Sequence, residues 1–147
     1  MPKDEFPAVI FRVRPDSPIP IYEQIVAQVT FGIASGGLEV GALIPSVREL
    51  AQRLLVHPNT VARAFQELER QGVVAARRGR GMEVTPEAPA ACQSMRLEII
   101  RGRVREALRE AASSALPPEE VRQLVDEELA RANGVRNSKS HVRNPKT

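Results

Sequence analysis

The sequence predicts a mainly α-helical chain with one small β-hairpin. Three features carry that reading. Apolar residues recur at helical spacing in five segments. Two of these segments are separated by only about three residues, Leu55 to His57. An arginine- and glycine-rich run, Arg77-Arg78-Gly79-Arg80-Gly81, sits between two short β-prone stretches.

Val9 to Val13 is β-prone and is expected to form a short strand, ended by the Pro-rich stretch that follows. Pro20 suits a helix N1 position, where its missing N–H costs nothing. Tyr22, Ile25, Val26, Val29 and Ile33 then share one helical face, and Ser35-Gly36-Gly37 ends this first helix.

The second helix opens after Pro45 with a capping box. Ser46 can accept from the N–H of Glu49, and Glu49 can reach back to the N–H of Ser46. Val47, Leu50, Ala51 and Leu54 make its apolar stripe. His57-Pro58 starts the third helix, again with Pro at N1, and Gly72 ends it in a left-handed conformation. At about 100° per residue, Val61, Phe65 and Leu68 fall on one side. Asn59, Arg63, Gln66 and Arg70 fall on the other. The hairpin is expected to pair Val73–Ala76 with Met82–Thr85.

Pro86 to Cys92 reads as a linker. Leu97, Ile100, Val104, Leu108 and Ala111 form a fourth stripe. The ALPPEE segment breaks the chain and restarts it, with Pro118 at N1 and Glu119 and Glu120 in the first turn, where the helix dipole favours acids. Val121, Leu124, Val125 and Leu129 form a fifth stripe, which Asn133-Gly134 is expected to stop. The polar, basic residues beyond are expected to be disordered.

Composition narrows the chemistry. A hydrophobic fraction of 42% in 147 residues supports a packed core. Aromatics are 3%, with no Trp, so a stacking platform for single-stranded nucleic acid is hard to build. The net charge of +3 is concentrated at one end. Residues 1–90 balance ten basic against ten acidic side chains, whereas residues 133–147 carry four basic and none acidic. Any nucleic-acid contact in the body of the chain must therefore come from local patches. One cysteine, Cys92, makes neither an intrachain disulfide nor a cysteine zinc site. The N-terminus has acids where a signal peptide needs bases. No segment reaches the ~20 apolar residues of a membrane span. These features point to a cytoplasmic protein without membrane contact.

Two helices joined by so short a turn must cross steeply, as in a helix-turn-helix. In that arrangement the second helix presents its N-terminal residues to base edges in the major groove of double-stranded DNA. Asn59, Thr60 and Arg63 suit the task, since Asn and Thr donate and accept, and Arg can read guanine with two parallel bonds. The hairpin becomes a wing whose arginines meet phosphates or a minor groove. The fold class is thus a winged helix-turn-helix domain followed by a C-terminal helical hairpin. There is no His/Glu metal cluster, phosphate-binding loop or activated nucleophile, so neither catalytic nor metal-binding residues nor a cofactor are assigned, and an enzyme is not expected. A winged helix used for protein–protein or RNA contact is the alternative. It would call for an apolar or acidic third-helix face.

Ile19 to Val84, about 66 of the 147 residues, resembles the winged helix-turn-helix domain of GntR-family bacterial transcriptional regulators. PIYEQI opens the match, PSVRELA forms the second helix, NTVARAFQELERQG the third, and RRGRG the wing. The short helical C-terminal part resembles the YtrA subfamily. Larger effector domains of other subfamilies, and the aminotransferase-fused branch, have no room here. The resemblance implies DNA contact by Arg48, by Asn59, Thr60 and Arg63, and by the main chain at Gly79, flanked by Arg77, Arg78 and Arg80. Ser46 and His57, at the starts of the two helices, complete the expected DNA-facing set. Where many members have Ser-Arg this chain has His57-Pro58, which removes one base-reading arginine.

The expected organisation is a DNA-binding domain over residues 1–86, a helical dimerisation region over 93–132 and a basic tail over 133–147. Leu97, Ile100, Val104, Leu108, Val121, Leu124, Val125 and Leu129 cannot all be buried within an isolated hairpin. They are expected to meet a second copy of the chain in a twofold helical bundle. The expected activity is repression of transcription by a homodimer on a palindromic operator. Few polar groups converge in the C-terminal region, so a pocket for a small-molecule effector would have to form at the dimer interface.

Overall fold

The computed structural model describes residues 11–141, with side chains as far as residue 134. The elements are α1 (Ile21–Ala34), α2 (Val47–Leu54), α3 (Pro58–Arg70), β1 (Val74–Arg77), β2 (Gly81–Val84), α4 (Ala88–Ser113) and α5 (Pro118–His141). The chain divides into two compact units between Ile100 and Arg101.

The first unit is built on the apolar stripes. Ile25, Val29 and Ile33 of α1, Leu50 of α2, and Val61, Phe65 and Leu68 of α3 are all buried in one core. Removing a leucine or isoleucine side chain of this size from water contributes about 1.5–3 kcal/mol. Thr30 is buried with them and satisfies its hydroxyl by donating to the carbonyl of Val26, at 2.8 Å.

The helix boundaries follow local chemistry. Ser46 caps α2 by accepting from the N–H of Glu49 at 3.1 Å, one of the two bonds of the expected box. Leu55 then turns the chain at φ 54°, and His57 caps α3 through Nδ1, which accepts from the N–H of Asn59 at 3.1 Å. The turn is thus the three residues the sequence suggests. Gly72 ends α3 at φ 77°, in the left-handed region that glycine tolerates best.

β1 and β2 pair antiparallel, with Val74 opposite Val84 and Arg77 opposite Gly81. The strands therefore lie one residue away from the expected ranges at either end of the hairpin. Val73 and Thr85 lie just beyond the two strands, and Val73 N–H ties the hairpin to α3 through the carbonyl of Leu68. Thr85 donates its hydroxyl to the carbonyl of Gly72 at 2.7 Å, and its N–H bonds the carbonyl of Val73. A third extended segment, absent from the sequence reading, lies against β2. Gly41 N–H bonds Val84 O, Val84 N–H bonds Ala42 O and Ile44 N–H bonds Met82 O. This pairing covers the edge of β2 and anchors the wing to the α1–α2 connection.

Three expectations are corrected. The strand expected over Val9–Val13 lies partly outside the described residues, and residues 11–13 form no strand. Their backbone is instead held by two glutamines of α1. Gln28 exchanges hydrogen bonds with both backbone groups of Arg12. Gln24 does the same for Arg14, at 2.8 and 3.0 Å, and also donates to Ile19 O. A four-residue helical step rises about 6 Å. A two-residue extended step covers about 6.6 Å. Amides at i and i+4 can therefore stand in for a neighbouring strand.

The expected linker is the second correction. Pro86 and Glu87 form a turn, but Ala88–Cys92 is the start of α4. Ala88 and Cys92, one helical turn apart, are fully buried in the core of the first unit, and Met95 packs against it. Burial on one side outweighs the weak helix propensity of a Pro-containing start, because Pro89 sits in the first turn, where its missing N–H is harmless.

The third correction is the end of α5. Its backbone stays helical through Asn133 and Gly134 to His141, so the expected tail over 133–147 begins as helix. A helix-interior glycine costs only about 1 kcal/mol, and no proline interrupts the chain before Pro145. Residues 142–147 lie outside the described residues.

The second unit contains the end of α4 and all of α5. The connection between the helices turns at Ala115, φ 62°, and Leu116 N–H bonds the carbonyl of Ala111. Pro117 and Pro118 prevent α4 from continuing.

Candidate nucleic-acid interface

The third helix has two distinct sides. Val61, Ala64, Phe65 and Leu68 are buried, while Asn59, Arg63, Gln66 and Arg70 are exposed. Thr60 is half-buried. Neither arginine on the polar side is unconstrained. Arg70 donates through Nε to Glu67 at 3.0 Å, and Gln71 donates to the same carboxylate. The hydrogen bond from Arg70 is the largest influence holding Glu67 below the usual carboxylate range. Arg63 lies over the ring of Tyr22, with its guanidinium carbon 3.9 Å from the ring centroid. The contact holds the guanidinium against the ring, and none of its N–H groups is hydrogen-bonded among the described residues. Of the two arginines, Arg63 is therefore the one set for a bidentate contact.

Upstream, Ser46 and Arg48 are exposed at the start of α2. Ser46 spends its hydroxyl as the α2 cap, and His57 spends Nδ1 as the α3 cap. Their first role is thus to set where the two helices begin. Asn59 and Thr60 follow at the N-terminus of α3; their N–H groups are taken by Nδ1 and the carbonyl of His57, so it is the helix dipole that favours negative charge there.

The wing tip is a turn from Arg77 to Arg80, closed by Arg80 N–H on Arg77 O at 2.9 Å. Gly79 occupies its third position at φ 77°, as a type II turn requires. Glu83 gathers two of the three arginines. It is 2.8 Å from Arg77 and 3.7 Å from Arg80, and its side chain is only 15% exposed. Arg78 makes no ion pair among the described residues.

Sequence reasoning missed Tyr22 and Glu83. The spacing sets Tyr22, the only tyrosine in the chain, on an apolar face, yet it is only half-buried and lies under Arg63. Glu83 is the only acid among the twelve residues Val73–Val84, and that isolation beside three arginines was a legible signal. Cys92 is buried, and desolvation pushes its thiol up to about 11, away from reactivity. Among the described residues no group of three His, Cys, Asp or Glu side chains could hold a metal ion, and no helix is long and apolar enough to cross a membrane.

The stripes expected to meet a partner stay uncovered. Leu97 is 57% exposed and Leu129 56%, with Ile100, Val104, Leu108, Leu124 and Val125 all above 40%. Val121 is half-buried.

Residues 21–84 match the model of the gntR family of bacterial regulatory proteins. The HTH-type transcriptional repressor YtrA of Bacillus subtilis is 31% identical over 125 residues, which is 85% of this chain and 96% of that one. That match runs well beyond the winged helix into the C-terminal helices. YhcF, an HTH-type regulator of the same organism, is 42% identical over 47% of this chain and 57% of its own length. Among solved structures, a GntR family regulator from Listeria monocytogenes aligns over 76% of this chain and 97% of its own, with a TM-score of 0.61 and 31% identity. YtrA from Sulfolobus acidocaldarius aligns over 69% and 99%, at 0.50 and 31%.

Proposed function

Since this chain belongs to the GntR family of bacterial regulatory proteins, and to its YtrA subfamily, we propose that it is a cytoplasmic repressor that binds a palindromic DNA operator as a homodimer. It is a helix-turn-helix transcriptional regulator, as its relatives are, and not an enzyme.

The observation that carries the DNA reading is the Arg63–Tyr22 stack on the exposed side of α3. An exposed arginine set on a ring face, with its N–H donors unused among the described residues, suits the two acceptors of guanine in the major groove. Asn59 and Thr60 precede it on the same helix, and the glycine-tipped wing adds arginines for phosphate or minor-groove contact.

The homodimer rests on a separate observation. A run of large apolar side chains along α4 and another along α5 are about half exposed, and each is a stripe rather than a scatter of single residues. A second copy of the chain would cover them. One winged helix reaches only a few base pairs, so two copies on half-sites about one helical turn apart would supply the affinity. A small-molecule effector, if one acts, would bind where the two copies meet.

In vitro selection from a pool of random duplexes tests this reading. Enrichment of an inverted repeat with half-sites spaced by about 10 base pairs is the expected result. A pool that remains random after several rounds would remove the operator claim.

A further inference from the structure

The wing arginines are not equivalent. Arg77 and Arg80 share one carboxylate, whereas Arg78 has none among the described residues. The pleat explains this. Glu83 stands opposite Ala75, so it lies on the same face of the hairpin as Arg77 and reaches it diagonally. The small side chain of Ala75 leaves the space open. Arg80 then comes within range because the tight turn folds it back toward β2.

We propose that Glu83 is a built-in counterion of the wing that limits sequence-independent DNA binding and leaves Arg78 as the principal phosphate contact. The proposal rests on the DNA reading of the wing. A phosphate approaching Arg77 or Arg80 meets a carboxylate of its own charge close by. The wing thus carries three arginines but attracts a duplex with less than their full charge. Specific binding gains by comparison, because base contacts from α3 owe nothing to Glu83.

The test is Glu83→Gln, which keeps the shape and one acceptor oxygen for Arg77 and removes the charge. Affinity for a random-sequence duplex is measured from 50 to 200 mM salt, beside wild type and Arg78→Ala. The proposal expects Glu83→Gln to bind the random duplex more tightly. Its log–log salt slope should steepen by about one per wing, a further ~3-fold of affinity lost over that range. Arg78→Ala should weaken binding and flatten the slope. A Glu83 that serves only to hold the hairpin gives the opposite sign. Its replacement would lower the thermal midpoint and weaken binding, and that result overturns the proposal. An unchanged affinity and slope for Glu83→Gln, with Arg78→Ala still weakened, also overturns it while sparing the DNA reading of the wing. If Arg78→Ala too binds as wild type does, the wing does not meet DNA and both statements fall.

Discussion

The guanidinium of Arg63 rests on the ring of Tyr22, 3.9 Å from its centroid, and so joins the start of α1 to the exposed side of α3. Such a contact is worth about 0.5–1 kcal/mol at an exposed site. Tyr22→Leu should therefore lower the ratio of operator to scrambled-DNA affinity by about 2–5-fold, and Tyr22→Phe, which keeps the ring, should not. Equal losses in both variants would mean that the hydroxyl, not the stack, matters.

The His57 cap should be measurable by itself. His57→Ala removes the acceptor for Asn59 N–H and should cost about 1 kcal/mol in urea unfolding. His57→Asn restores an acceptor and should recover most of it.

Leu55 is 91% exposed and sits at φ 54°, a conformation that costs a side-chain-bearing residue about 1–2 kcal/mol. Leu55→Gly relieves that strain but loosens the unfolded chain, which offsets about 0.4–1 kcal/mol. A net gain of about 0.5–1 kcal/mol in urea unfolding is expected, with DNA binding unchanged.

Cys92 should be unreactive in the folded protein. Its thiol is raised from 9.0 to about 11 by burial, so at pH 8 the thiolate fraction falls about a hundredfold. Alkylation should be slower than in denaturant by at least that factor. The neutral form is favoured by folding. This contribution to stability is therefore complete below about pH 9 and declines as the pH rises toward 11.

The exposed stripes give a prediction about assembly. Leu97→Glu and Leu124→Glu should each shift sedimentation toward the monomer while leaving the far-ultraviolet helical signal largely intact. Gly102 lies on the opposite side of α4 from Leu97, Val104 and Leu108, and a Cβ there meets nothing within 4 Å. Gly102→Ala should raise helix stability by about 1 kcal/mol without affecting assembly.

The winged helix was legible because its signals are local. Spacing of Val61, Phe65 and Leu68 gave the buried side of α3, the Ser46 cap gave the start of α2, and Gly79 gave the wing tip. What escaped depends on tertiary pairing. Ala42–Ile44 has no strand pattern of its own and lies along β2 only because β2 offers a free edge. Ala88–Cys92 reads as a linker until Ala88 and Cys92 are seen to be buried in the core of the first unit. Gln24 and Gln28 look like solvated helix positions, and only an extended segment lying alongside gives them a purpose. At the interface, residue types marked Arg63 and the wing, but the partners that orient or restrain them, Tyr22 and Glu83, belong to other elements or other registers.

The central claim is that Arg63, on the exposed side of α3, reads a base. Its most direct test is a fluorescence-anisotropy titration of wild type and Arg63→Ala against the selected duplex and a scrambled one, at two salt concentrations. Wild type should prefer the selected duplex by ~10³-fold or more. Arg63→Ala should lose about 1–3 kcal/mol of that preference while keeping its affinity for scrambled DNA. If both proteins bind both duplexes alike, and weakly at high salt, α3 does not read sequence and only electrostatic attraction to the duplex remains.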